Sequence, residues 1–344
     1  MDLSDCLINI DSTMQNTLEV IEKNGLQIAL VIDEYEKLLG IVTDGDVRRS
    51  ILIGKSVTSC VSTFMNKNFK ALLDTSTNEE ILKYMECHDL EHLPLIDEKG
   101  RLVDLKMREN KKPTDELNNR VIIMAGGKGR RLRPYTASCP KPMVCIGDKP
   151  ILELIVNTCR NQGLRKITIS VNYMKEKVID YFKDGSDWGV EIEYIEEGKE
   201  LGTAGSLSLL KERDNLPSVV INGDVLCNLN LRQLLKYHVE SGSGATMCVK
   251  TYELYMPYGV VDVKDGKLIG INEKPRYVHF INAGIYVLNS DIIMKRTKVE
   301  KIDMPTILES IMDKVPVSVY PLSDYWIDVG NPEALAEARE KYND

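Results

Sequence analysis

The sequence predicts an α/β protein of two domains, and three observations support this prediction. The chain has 344 residues, and since a domain commonly holds about 150 residues, two domains are expected. Residues 1–115 contain an internal repeat, whereas strand-like and helix-like stretches alternate over residues 119–344. Hydrophobic residues make up 43% of the chain and charged residues 28%, a balance typical of globular and not of disordered proteins.

Composition and charge exclude several classes of protein. The formal net charge is −8, and nucleic-acid binding is not expected because it requires a basic face. No apolar run approaches the ~20 residues that span a bilayer, and residues 1–5 lack the basic and apolar regions of a signal peptide. The eight cysteines form no Cys-x-x-Cys pair, which indicates reduced thiols. We therefore expect a cytoplasmic protein without nucleic acid or membrane among its partners.

The repeat in residues 1–115 has an offset of 64 residues and gives each copy the order helix, strand, turn, strand. Val31–Glu34 returns as Leu95–Glu98, and Ser12–Thr13 returns as Ser76–Thr77 before apolar residues at helical spacing. Neither copy, at fewer than about 60 residues, buries much core alone. The two copies are therefore expected to pack as one unit.

The first copy ends in the motif Gly40-Ile41-Val42-Thr43-Asp44-Gly45-Asp46. This motif within a tandem repeat resembles a pair of cystathionine-β-synthase (CBS) domains. The resemblance implies an adenine nucleotide as ligand, with Thr43 and Asp46 at its ribose and phosphates. The offset puts Met107 and Asn110 at these positions in the second copy, so that at most one ligand site is expected. A CBS pair that serves dimerisation alone is the alternative.

The second predicted domain follows a polar, proline-containing linker at residues 108–115. An apolar run, Arg120–Ala125, then predicts a buried strand that leads into a glycine loop. The alternation beyond it favours an α/β sheet with ligands at the carboxyl ends of its strands. The predicted elements include strands at 166–171 and 218–222 and helices at 149–161 and 231–239.

The glycine loop, Gly126–Pro134, has the composition of a phosphate-binding segment. Three glycines within four residues allow backbone N–H groups to surround a phosphate, and three arginines and a lysine add charged donors. The spacing matches neither a P-loop nor the dinucleotide-binding fingerprint. Taken alone, the loop is also compatible with a purely structural turn.

Further motifs extend this pattern over the rest of the chain and resemble the signature of sugar-1-phosphate nucleotidyltransferases. The resemblance implies a Rossmann-like, mixed-sheet nucleotide-diphospho-sugar transferase domain, preceded here by the α+β CBS pair. Arg130 is a departure, because the family commonly has threonine there. The motifs are Ala125–Pro134, Pro140–Met143, Glu196–Gly205, Ile221–Asp224, Tyr258–Val261, Glu273–Pro275, Ile281–Tyr286 and Tyr325–Gly330.

The resemblance assigns a role to each matching residue. As catalytic residues, Arg131 holds the leaving pyrophosphate and Lys141, kept extended by a proline on each side, screens the α-phosphate. Asp224 and Asp328 each end an apolar segment, and the two carboxylates could converge on one Mg²⁺. Each aspartate is also compatible with a turn or a helix cap. The expected nucleotide-binding residues are Ala125, Gly126, Gly127, Gly129, Gly202, Thr203 and Ala204, the last three beside the base; the sugar-phosphate residues are Gly259, Glu273, Lys274 and Asn282.

The order of a CBS pair followed by a transferase resembles bacterial enzymes that activate hexosamines for surface sugars, such as the glucosamine-1-phosphate guanylyltransferases of legionaminic acid synthesis. It implies GTP and glucosamine 1-phosphate as substrates and GDP-glucosamine as product, in a homo-oligomer. Mannose 1-phosphate or another sugar, and UTP, dTTP or CTP, are alternatives within the class. A catalytically silent sugar-nucleotide sensor is the alternative outside it.

Overall fold

The computed structural model describes residues 3–88, 90–108, 116–210, 215–323 and 325–342. The chain folds into two units, Met1–Lys112 and Pro113–Asp344. No helix in the described ranges has the length and apolar character required to cross a membrane. Residues 109–115, the greater part of the predicted linker, lie outside the described residues.

The first unit contains two copies of one β-α-β-β arrangement. In each copy the middle strand pairs parallel with the first and antiparallel with the third, giving sheets β1-β2-β3 and β4-β5-β6. The elements are β1 (Leu7–Asn9), α1 (Met14–Asn24), β2 (Ile28–Ile32), β3 (Leu38–Thr43), α2 (Asp44–Leu52), β4 (Leu72–Leu73), α3 (Asn78–Cys87), β5 (His92–Ile96) and β6 (Leu102–Met107).

The predicted repeat is confirmed at the level of backbone structure. α3, β5 and β6 begin 64 residues after α1, β2 and β3, and both sheets have a bulge at equivalent positions of the middle strand. Thr13 and Thr77 each begin a helix with a capping box, completed by Asn16 and Glu80. Leu105 of the second copy belongs to the same buried cluster as residues of β2, so the two copies share a core.

The second unit is built on a seven-stranded mixed sheet with the order β11-β10-β7-β12-β17-β14-β18. Its elements begin with β7 (Val121–Met124), β8 (Cys145–Ile146), β9 (Lys149–Pro150), α4 (Ile151–Asn161), β10 (Lys166–Val171), α5 (Lys175–Phe182), β11 (Glu191–Glu196), β12 (Ser218–Asn222), β13 (Val225–Cys227), α6 (Leu231–Glu240) and β14 (Ala245–Tyr255). They continue with β15 (Val260–Lys264), β16 (Lys267–Asn272), β17 (Arg276–Leu288), α7 (Ser290–Met294), α8 (Met304–Ile311), β18 (Val317–Leu322), β19 (Trp326–Asp328) and α9 (Pro332–Tyr342).

Both faces of the large sheet are covered. Alternate residues of a strand point to opposite faces, and in β7 Val121 and Ile123 join the cluster that contains α4, whereas Ile122 joins the cluster that contains α8. β7, β10, β11 and β12 are parallel, and β17 enters antiparallel to β12. The carboxyl ends of the parallel strands therefore lie at one edge, which the glycine loop occupies as it leaves β7.

The predicted strands at 166–171 and 218–222 have the bounds of β10 and β12. The predicted helix at 149–161 begins later, at Ile151, because Lys149 and Pro150 pair with β8 as strand β9. Proline has no backbone N–H and a fixed φ, so Pro150 is suited to the position immediately before a helix.

Candidate active site

The glycine loop packs against the segment that carries Lys141. Gly129 has a φ of +59°, and a Cβ at this position would lie 2.8 Å from Lys141 Cβ. Its carbonyl oxygen accepts a hydrogen bond from Thr136 Oγ1 at 2.7 Å. A side chain at position 129 would therefore push the loop away from Lys141.

Lys141 lies in a short 3₁₀ turn, Lys141–Met143, and not in the extended segment that the flanking prolines predicted. Pro140 precedes the turn and Pro142 lies inside its first residues, where a missing N–H costs nothing. The lysine side chain is only 10% exposed. Burial in this turn fixes the position of the ammonium group.

The Lys141 ammonium lies between two aspartates. It forms an ion pair with Asp224, and its Nζ is 3.8 Å from Asp328 Oδ1. The two carboxylates are brought together by the antiparallel pair β13–β19, in which Val225, next to Asp224, is opposite Asp328. Burial and the negative charge of Asp224 raise the pKa of Asp328, while Lys141 and Arg131 act in the opposite direction.

The aspartate pair has the donor set of a magnesium site. No group of three or more His, Cys, Asp or Glu side chains placed to hold a metal ion occurs in the described ranges. Mg²⁺ commonly uses only one or two protein carboxylates and takes its other ligands from water and phosphate oxygens. Two carboxylates that repel each other and share one cationic neighbour fit such an ion.

The cations of the glycine loop lie in two places. A Cβ on Gly330 would be 3.1 Å from a terminal nitrogen of Arg131, which places this guanidinium beside the end of β19 and Asp328. The other cations, Lys128, Arg130 and Arg133, line a separate cavity of about 350 Å³ with Thr136 and Tyr173. Lys128 also pairs with Glu200 at 2.9 Å.

The predicted base-binding segment, 201–205, is held by residues 300–304 in an arrangement that we call the clasp. Ile302 N–H donates to Leu201 O at 3.0 Å, and Ala204 N–H donates to Ile302 O at 3.1 Å. Thr203 N–H and Oγ1–H donate to Asp303 Oδ1 at 2.9 and 3.3 Å. Thr203 and Ala204 were predicted to lie beside the base, but their N–H groups already donate to acceptors of the protein.

One cavity of about 340 Å³ joins the glycine loop, the clasp and Asp224. Asn222, which precedes Asp224 in this cavity, has a buried Oδ1 without a partner in the described part of the protein. Such unpaired buried acceptors are unusual in folded proteins. The lining residues of this main cavity are Met124, Gly126, Gly127, Glu197, Glu200, Leu201, Gly202, Thr203, Asn222, Asp224, Lys301 and Asp303.

Two predicted nucleotide-binding residues are buried behind the main cavity. Ala125 is 3% exposed and its N–H donates to Ser170 O at 2.8 Å. Ala204 is 1% exposed. Both residues therefore support the backbone of the neighbouring glycine and threonine positions.

Three of the predicted sugar-phosphate residues, Gly259, Glu273 and Lys274, flank the β15–β16 pair, and Asn282 lies in β17. A Cβ on Gly259 would lie 2.7 Å from Glu273 Oε2, and Lys274 has a φ of +47° immediately after Glu273. Glu273 directly follows β16, in a bend between β16 and β17. Asn282, in β17, donates from Nδ2 to Tyr286 Oη at 2.6 Å. For these four residues the described structure contains no hydrogen bond or ion pair to Asp224, Asp328 or Lys141.

In the first unit, Thr43 and Asp46 form the capping box of α2. Thr43 N–H and Oγ1–H donate to Asp46 Oδ2 at 2.8 and 2.7 Å, and Arg49 forms an ion pair with Asp46 Oδ1. Both oxygens of Asp46 are therefore engaged locally. Met107 ends β6 in the second copy, and Asn110 lies outside the described residues.

Four charged residues that line the main cavity were not predicted as site residues from the sequence, namely Asp303, Lys301, Glu197 and Glu200. The sequence around Asp303 suggests only the start of a helix, since a proline follows at position 305. Its hydrogen bonds to Thr203 span 100 residues of sequence, and no local pattern reports such a contact.

Comparison with known proteins identifies the class. The nucleotidyl transferase family model matches residues 120–344, and the CBS domain model matches residues 5–53. The chain therefore belongs to the nucleotidyl transferase family and has a CBS domain at its N-terminus. This agrees with the mixed α/β sheet of the second unit and confirms the family and fold class that the sequence motifs predicted.

Relatives with named activities share this region. The chain is 36% identical over 226 residues to a mannose-1-phosphate guanyltransferase of Pichia angusta, covering 62% of this chain and 61% of that protein. It is 34% identical over 232 residues to a UTP–glucose-1-phosphate uridylyltransferase of Synechocystis, covering 61% and 60%. The crystal structure of HddC from Yersinia pseudotuberculosis complexed with GMP-PN is similar with a TM-score of 0.50 and 26% identity, covering 65% of this chain and 99% of that one. The chain thus spans about 61% of the length of the first of these relatives.

Proposed function

We propose that this protein transfers a nucleotidyl group from a nucleoside triphosphate to a sugar 1-phosphate and releases pyrophosphate. The main cavity carries this proposal, because it joins the glycine loop, the clasp and Asp224 in one space of about 340 Å³. This volume lies within the range of about 300–1,000 Å³ that is usual for small-molecule sites. Asn222, whose Oδ1 has no hydrogen-bond partner in the described part of the protein, lines the same cavity.

The chemistry requires charge neutralisation and alignment more than proton transfer. An oxygen of the sugar phosphate forms a bond to the α-phosphorus, and the bond from that phosphorus to the pyrophosphate oxygen breaks. The attacking oxygen is already ionised, so no base is needed, but both reactants are anions. Preorganised cations at the reacting phosphates are therefore the main contribution that the protein can make.

Lys141 and Arg131 are the cations that we assign to this task. Lys141 is buried beside Asp224 and Asp328, and Arg131 lies next to Gly330 at the end of β19. We propose that Lys141 screens the α-phosphate and Arg131 the departing pyrophosphate. Asp224 and Asp328 would hold Mg²⁺, which supplies further positive charge to the phosphate oxygens when bound.

For the substrates we propose GTP and glucosamine 1-phosphate, with GDP-glucosamine as the product. Support for a guanine nucleotide comes from relatives named mannose-1-phosphate guanyltransferase and from the similarity to HddC, whose structure contains GMP-PN. The names of these relatives favour mannose 1-phosphate as the first alternative sugar, and the Synechocystis relative makes UTP with glucose 1-phosphate the second.

For the first unit we propose a regulatory or dimerising role in a cytoplasmic homo-oligomer. In this proposal residues 1–115 form the CBS module and residues 119–344 the catalytic domain. The Thr43–Asp46 pair at the start of α2 supports one adenine-nucleotide site, provided that Arg49 gives way to the ligand. The hydrogen bonds from Thr43 to Asp46 Oδ2 would keep the carboxylate in place while a ligand replaced Arg49 at Oδ1.

A pyrophosphate-release screen tests the proposed function. GTP, UTP, dTTP and CTP are each combined with glucosamine, mannose and glucose 1-phosphates, with and without Mg²⁺. We expect release that depends on Mg²⁺ and is highest with GTP. Lys141→Gln should lower it at least about a hundredfold, whereas Lys149→Gln, at an exposed lysine of β9, should not. If no combination of triphosphate and sugar 1-phosphate released pyrophosphate, the result would instead favour a catalytically silent sensor.

A further inference from the structure

The clasp removes backbone donors from one end of the main cavity. Thr203 N–H is directed to Asp303 Oδ1 and Ala204 N–H to Ile302 O. Leu201 N–H donates to Glu197 Oε2 at 3.1 Å. Three of the four backbone N–H groups of residues 201–204 thus already donate hydrogen bonds to acceptors of the protein. A base that enters beside Gly202 therefore meets few donors.

Carboxylates line this end of the cavity, but most of them are engaged. Glu197 accepts hydrogen bonds from Ser170 Oγ at 2.7 Å and from the Leu201 N–H. Glu200 pairs with Lys128 at 2.9 Å and lies 3.9 Å from Lys301. Asp303 is different. Its Oδ1 receives both hydrogen bonds from Thr203, and no donor to its Oδ2 occurs in the described ranges.

Asp303 is also held firmly in position. Thr203 Oγ1, which donates to Asp303, accepts a hydrogen bond from Met304 N–H at 2.9 Å. The hydroxyl thus bridges the aspartate side chain and the first turn of α8. A carboxylate fixed through one oxygen and open at the other is a preorganised acceptor for a ligand.

Guanine is the base whose chemistry matches such an acceptor. Its N1–H and 2-amino group are adjacent donors on one edge, and the two lone pairs of the open Oδ2 can accept from both. Adenine and cytosine present an amino group beside an acceptor nitrogen. In uracil and thymine the N–H lies between two carbonyl oxygens, which a carboxylate repels. We propose that Asp303 recognises the N1–H and 2-amino group of guanine and selects guanine nucleotides, an inference that rests on the proposed nucleotidyl transfer.

The test compares purine triphosphates that differ at position 2. GTP has an amino group there, ITP a hydrogen and XTP an oxygen. For the wild-type protein we expect GTP to have a Kd about ten- to a hundredfold lower than ITP and a kcat/KM higher by a similar factor, the usual range for hydrogen bonds to a charged group. Asp303→Ala should bring the GTP/ITP ratio close to one. Asp303→Asn, whose amide can donate to an oxygen at position 2, should shift the preference towards XTP.

Two controls separate recognition of the base from support of the clasp. Thr203→Ala removes the hydroxyl of the clasp but keeps the hydrogen bond from the Thr203 N–H to Asp303 Oδ1, so it should weaken all three nucleotides to a similar extent and leave the GTP/ITP ratio near the wild-type value. Asp313→Asn, at an exposed aspartate after α8, should change nothing. If Asp303→Asn lowered binding of GTP, ITP and XTP by one common factor, the carboxylate would serve only the clasp and the inference would be overturned. Discrimination in binding without pyrophosphate release would support the inference and refute the proposed function.

Discussion

Gly202→Ala tests the clasp directly. Gly202 has a φ of +76°, and a Cβ there would lie 2.6 Å from Ile302 O and 2.7 Å from Asp303 Oδ1. Neither atom can retreat alone, because Ile302 O accepts the hydrogen bond of Ala204 N–H and Asp303 Oδ1 accepts those of Thr203. The substitution therefore forces the two segments of the clasp apart.

The expected loss has two parts. The left-handed backbone costs an L-residue about 1–2 kcal/mol. Separation of the segments weakens the hydrogen bonds that Ile302 makes with Leu201 and Ala204, at about 1 kcal/mol each. The sum is about 3–4 kcal/mol, which for a unit of this size lowers the Tm by about 10 °C. If the clasp also orients Asp303, the KM for GTP rises as well.

Gly198→Ala is the matched control. Gly198 lies in the same loop, and a Cβ on it meets nothing within 4 Å. The assays are thermal unfolding and the KM for GTP of both variants beside the wild type. If Gly202→Ala matched Gly198→Ala in both measurements, the clasp would not have the rigidity that its hydrogen bonds indicate.

Four further outcomes are expected. Asp224→Asn and Asp328→Asn should each lower the kcat for pyrophosphate release at least about a hundredfold, and near-normal rates with Mg²⁺ would contradict their assignment as ligands. Because the pKa of Asp328 is raised above its usual 3.8, ionisation of this carboxyl destabilises the folded state at higher pH. Asp328→Asn should therefore raise the Tm at pH 7 by more than at about pH 4, and a Tm below that of the wild type at pH 7 would count against this. Burial lowers the pKa of His238 below 6.5, so the unfolded state takes up a proton first and stability should fall as the pH drops below 6.5. His238→Gln should flatten the slope of Tm against pH, and equal slopes for the variant and the wild type would refute the reasoning. Titration calorimetry of the whole protein with AMP should show at most one CBS site per chain, and Asp46→Ala should abolish that binding. Two sites per chain would contradict the expectation that the second copy, with Met107 in place of threonine, binds no nucleotide.

Much of the fold could be predicted because its signals are local. The apolar runs of β10 and β12 lie between polar residues, so both strands were located correctly. The helix start at Ile151 and the turn at Lys141 were not, because each depends on how proline fits a particular backbone pairing. Proline excludes a helix interior, but it does not decide between an extended segment and a short turn.

The site was predictable where one segment carries one role. The glycine loop, Lys141 and the two aspartates follow from motifs, and the structure brings Lys141, Asp224 and Asp328 together. The clasp could not be foreseen, because Asp303 reaches Thr203 only through the packing of α8 on the large sheet. Thr203 and Ala204 were placed beside a base without knowledge of the hydrogen bonds that their N–H groups make to Asp303 and Ile302.

The two copies of the repeat contain the same helix start, at α1 and at α3, with different capping residues. At equivalent backbone positions the capping box of α1 uses the neutral amide of Asn16, and that of α3 uses the carboxylate of Glu80. Hydrogen bonds from Thr77 lower the pKa of Glu80, so this cap weakens in acid while the cap at Thr13 does not. The chain therefore carries, within one sequence, the same helix start with and without a titrating group. Exchange of the two residues would transfer the acid sensitivity from one copy to the other.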